Sequence, residues 1–496
     1  MLQHCLRCRA TGLLLLCAAA LTGWGQQAST PGDDFDTQAA RGAVVARVTC
    51  RDDPNQSYAL YLPSEYSPER AWPIMFAFDP LGRGKTAVEV LKNAAEKYGY
   101  IVVGSNNSRN GPSAGQLEAA QAVWLDSHRR FTIDKNRVYT TGLSGGARVA
   151  TAFALYCYTC HVAGVIAQGA AYPTIDGSKP PTNVQFVYYA IVGDADLNYP
   201  EIVALRRKKA EAGEPSKTKI YSGPHQWAPP EIVEEGMAWL ELKAMQAGTK
   251  KVDSAFVDRM FDKTRAEANE AEQRGDALGQ YYALRSLTED FNGLEDVTAF
   301  AGKLAEVKAS KALKVAEHDQ QREIQEQAQL TATVAGELAQ LGGAAIVRAP
   351  AGPTEFGTAG NTAESSGRQH IVSVMSDYRR RAASPGRDHL VYARAFSQLL
   401  VQGMEAGQDA LRENHVSLAI AYFELMSEAN PDQAWPWLAL AEARVRAGER
   451  KAAVKALEQA VHHGLKSAQT LTEDPDLKPL ASDPAFQRIV ATLKAQ

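Results

Sequence analysis

From about residue 46 to residue 248 the chain alternates short apolar runs with amphipathic stretches. Pro73–Phe78, Tyr100–Gly104, Val162–Gln168 and Val184–Val192 are near-continuous apolar segments of strand length. Ser57–Leu62, Arg137–Thr141 and Lys217–Tyr221 read as further strands. Between them lie helical patterns at Thr86–Tyr98, Ser113–Phe131, Gly146–Tyr156, Tyr199–Ala212 and Pro230–Lys243. Strands buried on both faces and separated by helices leave few solutions. The expected fold class is α/β, a mostly parallel sheet with helices on both faces.

After about residue 250 no strand pattern persists. Residues 249–341 read as a helical segment rich in Ala, Glu, Gln and Lys, and 342–368 as a Gly/Ala/Pro/Thr/Ser linker. Helical periodicity returns over 369–496 with a spacing of 34: Ala419 to Ala453, Phe423 to Leu457, Gly403 to Trp437. Small residues at fixed positions let paired helices approach, and Asn430-Pro431 and His463-Gly464 end the units. This stretch resembles tetratricopeptide repeats at about Leu400–Gly464, followed by a capping segment to Phe486; Phe261–Gly293 is a weaker match.

Residues 1–25 read as a secretory signal: His4, Arg7 and Arg9, an apolar run from Leu13 to Leu21, then Gly23-Trp24-Gly25 before a cut. The run falls short of the about 20 residues that span a bilayer. Leu16 ahead of Cys17 is not the small residue that a lipid-anchor signal needs, so a lipid anchor is the lesser expectation. Residues 26–45 read as a disordered leader. The expected location is periplasmic or secreted. With 53 basic and 57 acidic residues the net charge is −4, and no global field exists to hold nucleic acid. Cleavage leaves Cys50, Cys157 and Cys160, which in an oxidising compartment means one disulfide and one free thiol, the pairing open. Cys157-x-x-Cys160 beside His161 lacks a fourth ligand, so the cysteines read as structural and no metal is expected.

The sharpest local signal is Gly142-Leu143-Ser144-Gly145-Gly146, a G-x-S-x-G pattern between a strand and a helix. That context lifts a serine Oγ above the sheet edge on a tight turn. A serine needs a base to take its proton. His128 precedes Ser144, and His161 sits before a strand, at the wrong end of the sheet. His225 follows the last strand, at the edge where catalytic loops of open α/β sheets meet, and is the expected base. The acid that orients it belongs after a strand between Ser144 and His225. Asp194 and Asp196 both qualify; the spacing from Gly193 favours Asp196, with Asp176 and Glu201 as outside candidates. The oxyanion needs two N–H donors. One is expected from Gly145 and the other from the loop Asp79–Gly84, where Pro80 has no N–H, so Leu81 is the first choice and Gly82 the second. Arg83 in the same loop is either solvated or aimed at a substrate carboxylate.

These residues resemble the α/β-hydrolase superfamily, and within it secreted esterases similar to polyhydroxybutyrate depolymerase, feruloyl esterase and the phospholipase/carboxylesterase group. The resemblance covers about residues 45–245 and rests on Gly142–Gly146, on Gly193-x-x-Asp196, and on Gly223-Pro-His225 followed by Trp227. It implies Ser144, Asp196 and His225 as nucleophile, acid and base, with no cofactor, acting on small or polymeric carboxylic esters; a peptidase or thioesterase uses the same residues. Asp79-Pro80 stands where that family carries His-Gly. Together with the repeats, the chain resembles bacterial exported proteins of the Gram-negative envelope. The competing expectation is a non-catalytic scaffold whose repeats bind a protein or peptide.

Overall fold

The computed structural model describes residues 40–111, 113–173, 184–347 and 358–495. The signal expected at 1–25, most of the leader, and Asp176 lie outside the described residues. Among the described residues no helix is long and apolar enough to cross a membrane.

The α/β part runs β1 (Val44–Thr49), β2 (Ser57–Tyr61), β3 (Trp72–Phe78), α1 (Gly84–Tyr98), β4 (Ile101–Ser105), α2 (Ser113–Arg130), β5 (Ile133–Leu143), α3 (Gly145–Tyr156), β6 (Val162–Gln168), β7 (Val187–Gly193), α4 (Tyr199–Ala212), β8 (Ser216–Tyr221) and α5 (Pro230–Gln246). The eight strands form one sheet in the order β1-β2-β4-β3-β5-β6-β7-β8. β2 is antiparallel to both neighbours, and every pairing from β4 through β8 is parallel. β3 and β4 are buried along their whole length, as their unbroken apolar runs require. Side chains alternate across the sheet: Tyr189 packs on Trp239 of α5, while Tyr188 meets Tyr172 and Lys209 of α4 on the other face. The parallel strands all end at one edge, and this edge carries the loops that hold Asp79, Ser144, Asp196 and His225.

β1 was not anticipated: its first two residues fall inside the expected leader. Its half-buried and exposed residues, with Val48 alone buried, give the weak pattern of an edge strand.

The rest is helical: α6 (Ser254–Gln273), α7 (Ala277–Asp290), α8 (Thr298–Ala309), α9 (Lys311–Val347), α10 (Thr358–Ala383), α11 (His389–Arg412), α12 (Val416–Ala429), α13 (Ala434–Arg446), α14 (Arg450–His462), α15 (Ala468–Glu473) and α16 (Pro484–Lys494). The linker expected at 342–368 is therefore helical at both ends, and only 348–357 lies outside the described residues. α6 and α7 do not extend away from the sheet: Leu242 and Met245 of α5 share one apolar cluster with Val257, Leu284, Leu287 and Phe291. Residues 34 apart occupy corresponding helices, with Ala419 and Phe423 on α12 and Ala453 and Leu457 on α14, all fully buried. At Gly403 an added Cβ would lie 2.4 Å from Met426 Sδ, so α11 and α12 are in close contact there. Cys157 and Cys160 form a disulfide, and among the described residues Cys50 is the free cysteine, buried, its thiol pushed up to about 12 by burial and by Asp126.

Candidate active site

β5 passes through Gly142 and Leu143 and turns at Ser144 into α3. Ser144 has φ 54° and ψ −122°, a left-handed backbone conformation that a serine adopts only under constraint. Such a residue stores about 1–3 kcal/mol, which the surrounding packing must offset. The turn is held because Ser144 N donates to Gln168 O at 2.8 Å, while Ala147 N donates to Ser144 O at 2.9 Å. It closes only over glycine: a Cβ at Gly146 would stand 2.0 Å from Phe78 O. Gly145 opens α3, so its N–H has no acceptor within the helix and points with the positive end of the helix dipole.

Asp196, 1% exposed, lies on the loop between β7 and α4. Its Oδ1 is 2.8 Å from His225 Nδ1 and also accepts Asn198 N–H at 2.8 Å. Gly169 runs directly beneath this pair with φ 60°, and a Cβ there would meet Asp196 Oδ2 at 2.9 Å and His225 Nδ1 at 3.1 Å. Asp194 does other work: its Oδ1 accepts Gly223 N–H at 3.1 Å, and Ala195 N donates to Gly223 O at 3.1 Å, so the acid loop is laced to the histidine loop. Glu201 meets Arg148 at 3.0 Å and accepts Ala171 N–H, away from the imidazole. The structure thus brings Asp196 to His225, and Ser144, Gly145 and His225 line the same cavity.

Leu81 is a correction. Its N–H donates to Asp79 Oδ1 at 2.8 Å, its side chain is 53% exposed, and it does not line the cavity. Gly82 N–H is likewise taken, by Asp79 O at 3.0 Å. The cause is Asp79. This fully buried carboxylate gathers Leu81 N–H, both ends of Arg83 and, at 2.8 Å, Trp227 Nε1, so the loop folds onto its own acid. Arg83 is held there too, rather than aimed at a substrate. What lies beside Gly145 instead is the carboxamide of Asn110, from the loop after β4: a Cβ on Gly145 would be 1.9 Å from its Oδ1 and 3.3 Å from its Nδ2. No spacing rule in the sequence points to Asn110.

The cavity has a volume of about 790 Å³, within the roughly 300–1,000 Å³ of small-molecule sites. Its floor is the sheet edge around Ser144 and His225, and its opposite wall comes from α9 and α11. Those helices also grip the acid loop. Gln327 Nε2 donates to Leu197 O at 3.1 Å, and Arg394 Nη1 donates to Asp194 O at 2.9 Å. Arg394 is 1% exposed, lies 4.5 Å from the Tyr199 ring centroid, and pairs with Glu323 at 3.3 Å. Among the described residues no cluster of His, Cys, Asp and Glu is arranged to hold a metal ion.

No family model matches the chain and no curated protein matches it. Solved structures similar to it are esterases and serine hydrolases. They include S-formylglutathione hydrolase from Staphylococcus aureus, 13% identical, TM-score 0.32, covering 37% of this chain and 92% of that one. An esterase from Pyrobaculum calidifontis is 14% identical, TM-score 0.33, covering 40% and 86%. Thermogutta terrifontis esterase 2 is 12% identical, TM-score 0.32, covering 41% and 95%. Likeness this distant leaves the chemistry to be argued from the residues of the site.

Proposed function

We propose that the protein is a serine hydrolase acting on carboxylic esters, built on an α/β-hydrolase domain with tetratricopeptide-like hairpins behind it, and exported by its N-terminal signal. The observation that carries this reading is the strained turn at Ser144, opening on the same cavity as a histidine that an aspartate holds at 2.8 Å.

In this reading Ser144 Oγ attacks the ester carbonyl carbon as His225 Nε2 takes its proton. Asp196 fixes the ring through Nδ1 and stabilises the imidazolium. Charge developing on the carbonyl oxygen faces Gly145 N–H and the side-chain amide of Asn110. The protonated histidine then gives its proton to the departing alkoxide, leaving an acyl-Ser144 ester. Water, deprotonated by the same histidine, releases the acid and restores Ser144.

A fluorophosphonate probe tests this. Wild-type protein becomes labelled, and Ser144→Ala does not, while circular dichroism shows both folded. Absence of labelling in folded wild-type protein overturns the reading and favours the scaffold, with the hairpins as its binding surface.

A further inference from the structure

His225 stands on the stretch between β8 and α5, outside helix and strand, so tertiary bonds must set its place. On the chain side before it, Gly223 is tied to the acid loop through Asp194 and Ala195. That lacing sets the ring against Asp196 and leaves its distance from Ser144 to other contacts. On the side after it, two buried side chains take hold. Gln168 Oε1 accepts Ala228 N–H at 3.0 Å, and Asp79 Oδ2 accepts Trp227 Nε1–H at 2.8 Å.

Both acceptors are also built into the nucleophile turn. Gln168 ends β6, in register with Leu143 of β5, and its backbone O accepts Ser144 N–H at 2.8 Å. One residue thus holds the nucleophile with its main chain and the histidine loop with its side chain. Asp79 follows Phe78 at the end of β3, and Gly146 closes the turn over these two: a Cβ at Gly146 would be 3.2 Å from Asp79 N. The next residue after Gln168, Gly169, passes beneath the Asp196–His225 pair, and its O accepts Asn198 Nδ2–H at 2.7 Å. The end of β6 therefore contacts all three loops of the site. Neither Gln168 nor Asp79 lines the cavity, so neither touches a substrate there. Gln168 Nε2 is buried with no hydrogen-bond partner among the described residues, so what this side chain contributes is its one acceptor, Oε1.

We propose that Gln168 and Asp79 are positioning residues: they clamp the histidine loop to the nucleophile turn and fix the His225 ring for proton transfer from Ser144. The inference rests on the hydrolase reading above. It gives the loop after β3 a task other than donating an N–H to the oxyanion. A base that drifts by about 1 Å loses proton transfer more than it loses substrate binding, because the substrate's own contacts lie elsewhere in the cavity.

The test uses full-length protein, 4-nitrophenyl butyrate and a fluorophosphonate. Gln168→Met keeps the side-chain length and removes the acceptor. Trp227→Phe removes the indole N–H and leaves Asp79 with Arg83 and Leu81. Each is expected to lower kcat and the rate of fluorophosphonate labelling together, about ten- to hundredfold, with KM within about twofold of wild type. Gln168→Glu, which keeps an acceptor oxygen for Ala228 N–H, recovers part of both rates. Thr264→Val is the control: it removes a buried hydrogen bond to Met260 O in α6 and leaves kcat near wild type. Circular dichroism identifies the folded variants; were Gln168→Met not to fold, Trp227→Phe decides alone. The proposal is overturned if the folded variants keep wild-type kcat, if Gln168→Glu is no better than Gln168→Met, or if Thr264→Val loses as much. The hydrolase reading survives each of these results, because wild-type turnover and labelling carry it. A folded wild-type protein that neither cleaves the ester nor takes the probe ends both.

Discussion

Asp194 and Asp196 sit two residues apart in one loop and have different partners. Asp196 contacts the imidazole, while Asp194 ties Gly223 to the loop. Asp196→Asn is therefore expected to lower kcat by up to about 10⁴-fold, since the amide can neither hold the productive tautomer nor stabilise the imidazolium. Asp194→Asn keeps an acceptor oxygen for Gly223 N–H and is expected to cost far less. Steady-state turnover of a short nitrophenyl ester ranks the two, and a larger loss in Asp194→Asn overturns the assignment. That Ser144, Asp196 and His225 come to one edge of the sheet was legible because each follows a strand of the sequence pattern. Leu81 was misread because a local spacing rule carries no information about which side chain captures an N–H. Here Asp79 does so, drawing on Trp227, 148 residues downstream.

At the scale of elements, the buried parallel strands were the easiest to see and the edge strand β1 the hardest, because only full burial writes an unbroken apolar run. The part of α11 that lines the cavity was invisible for a related reason: Gln398, Gln402, Glu405, Asp409 and Arg412 recur at three- and four-residue spacing and are mostly exposed, the pattern of any solvated helix face. Another polar group inside the helical part has a measurable consequence. Glu442 of α13 has its carboxyl raised well above the ordinary range, first by burial and then by Asp474 and Asp476, against a smaller pull from Arg446. A carboxyl raised on folding binds its proton more tightly in the native state. Its stabilising contribution is present below the ordinary carboxylate range and is lost as pH rises through the raised value. Glu442→Gln is expected to raise Tm by about 2–4 °C at about pH 8 and to match wild type at about pH 4, as read by thermal unfolding.

On the scale of the whole molecule, the helical part and the sheet share one site. Arg394 reaches from α11 to the carbonyl of Asp194, and a buried arginine is costly unless it hydrogen-bonds, which it does here to Asp194 and Glu323. Arg394→Met is expected to loosen the acid loop and lower kcat about ten- to hundredfold with a smaller change in KM, and Arg394→Lys to recover part of it. Equal kcat in Arg394→Met and wild type would show that α11 merely packs beside the loop.

The gap in chain position between Ser144 and the helix facing it sets an order of events during synthesis. A ribosome that has completed the sheet and every side chain of the proposed triad has yet to make α11, which begins at His389. Until that helix has been made Ser144 has no wall from α11, so the cavity takes its described form only after the polypeptide has run on through both α9 and α11.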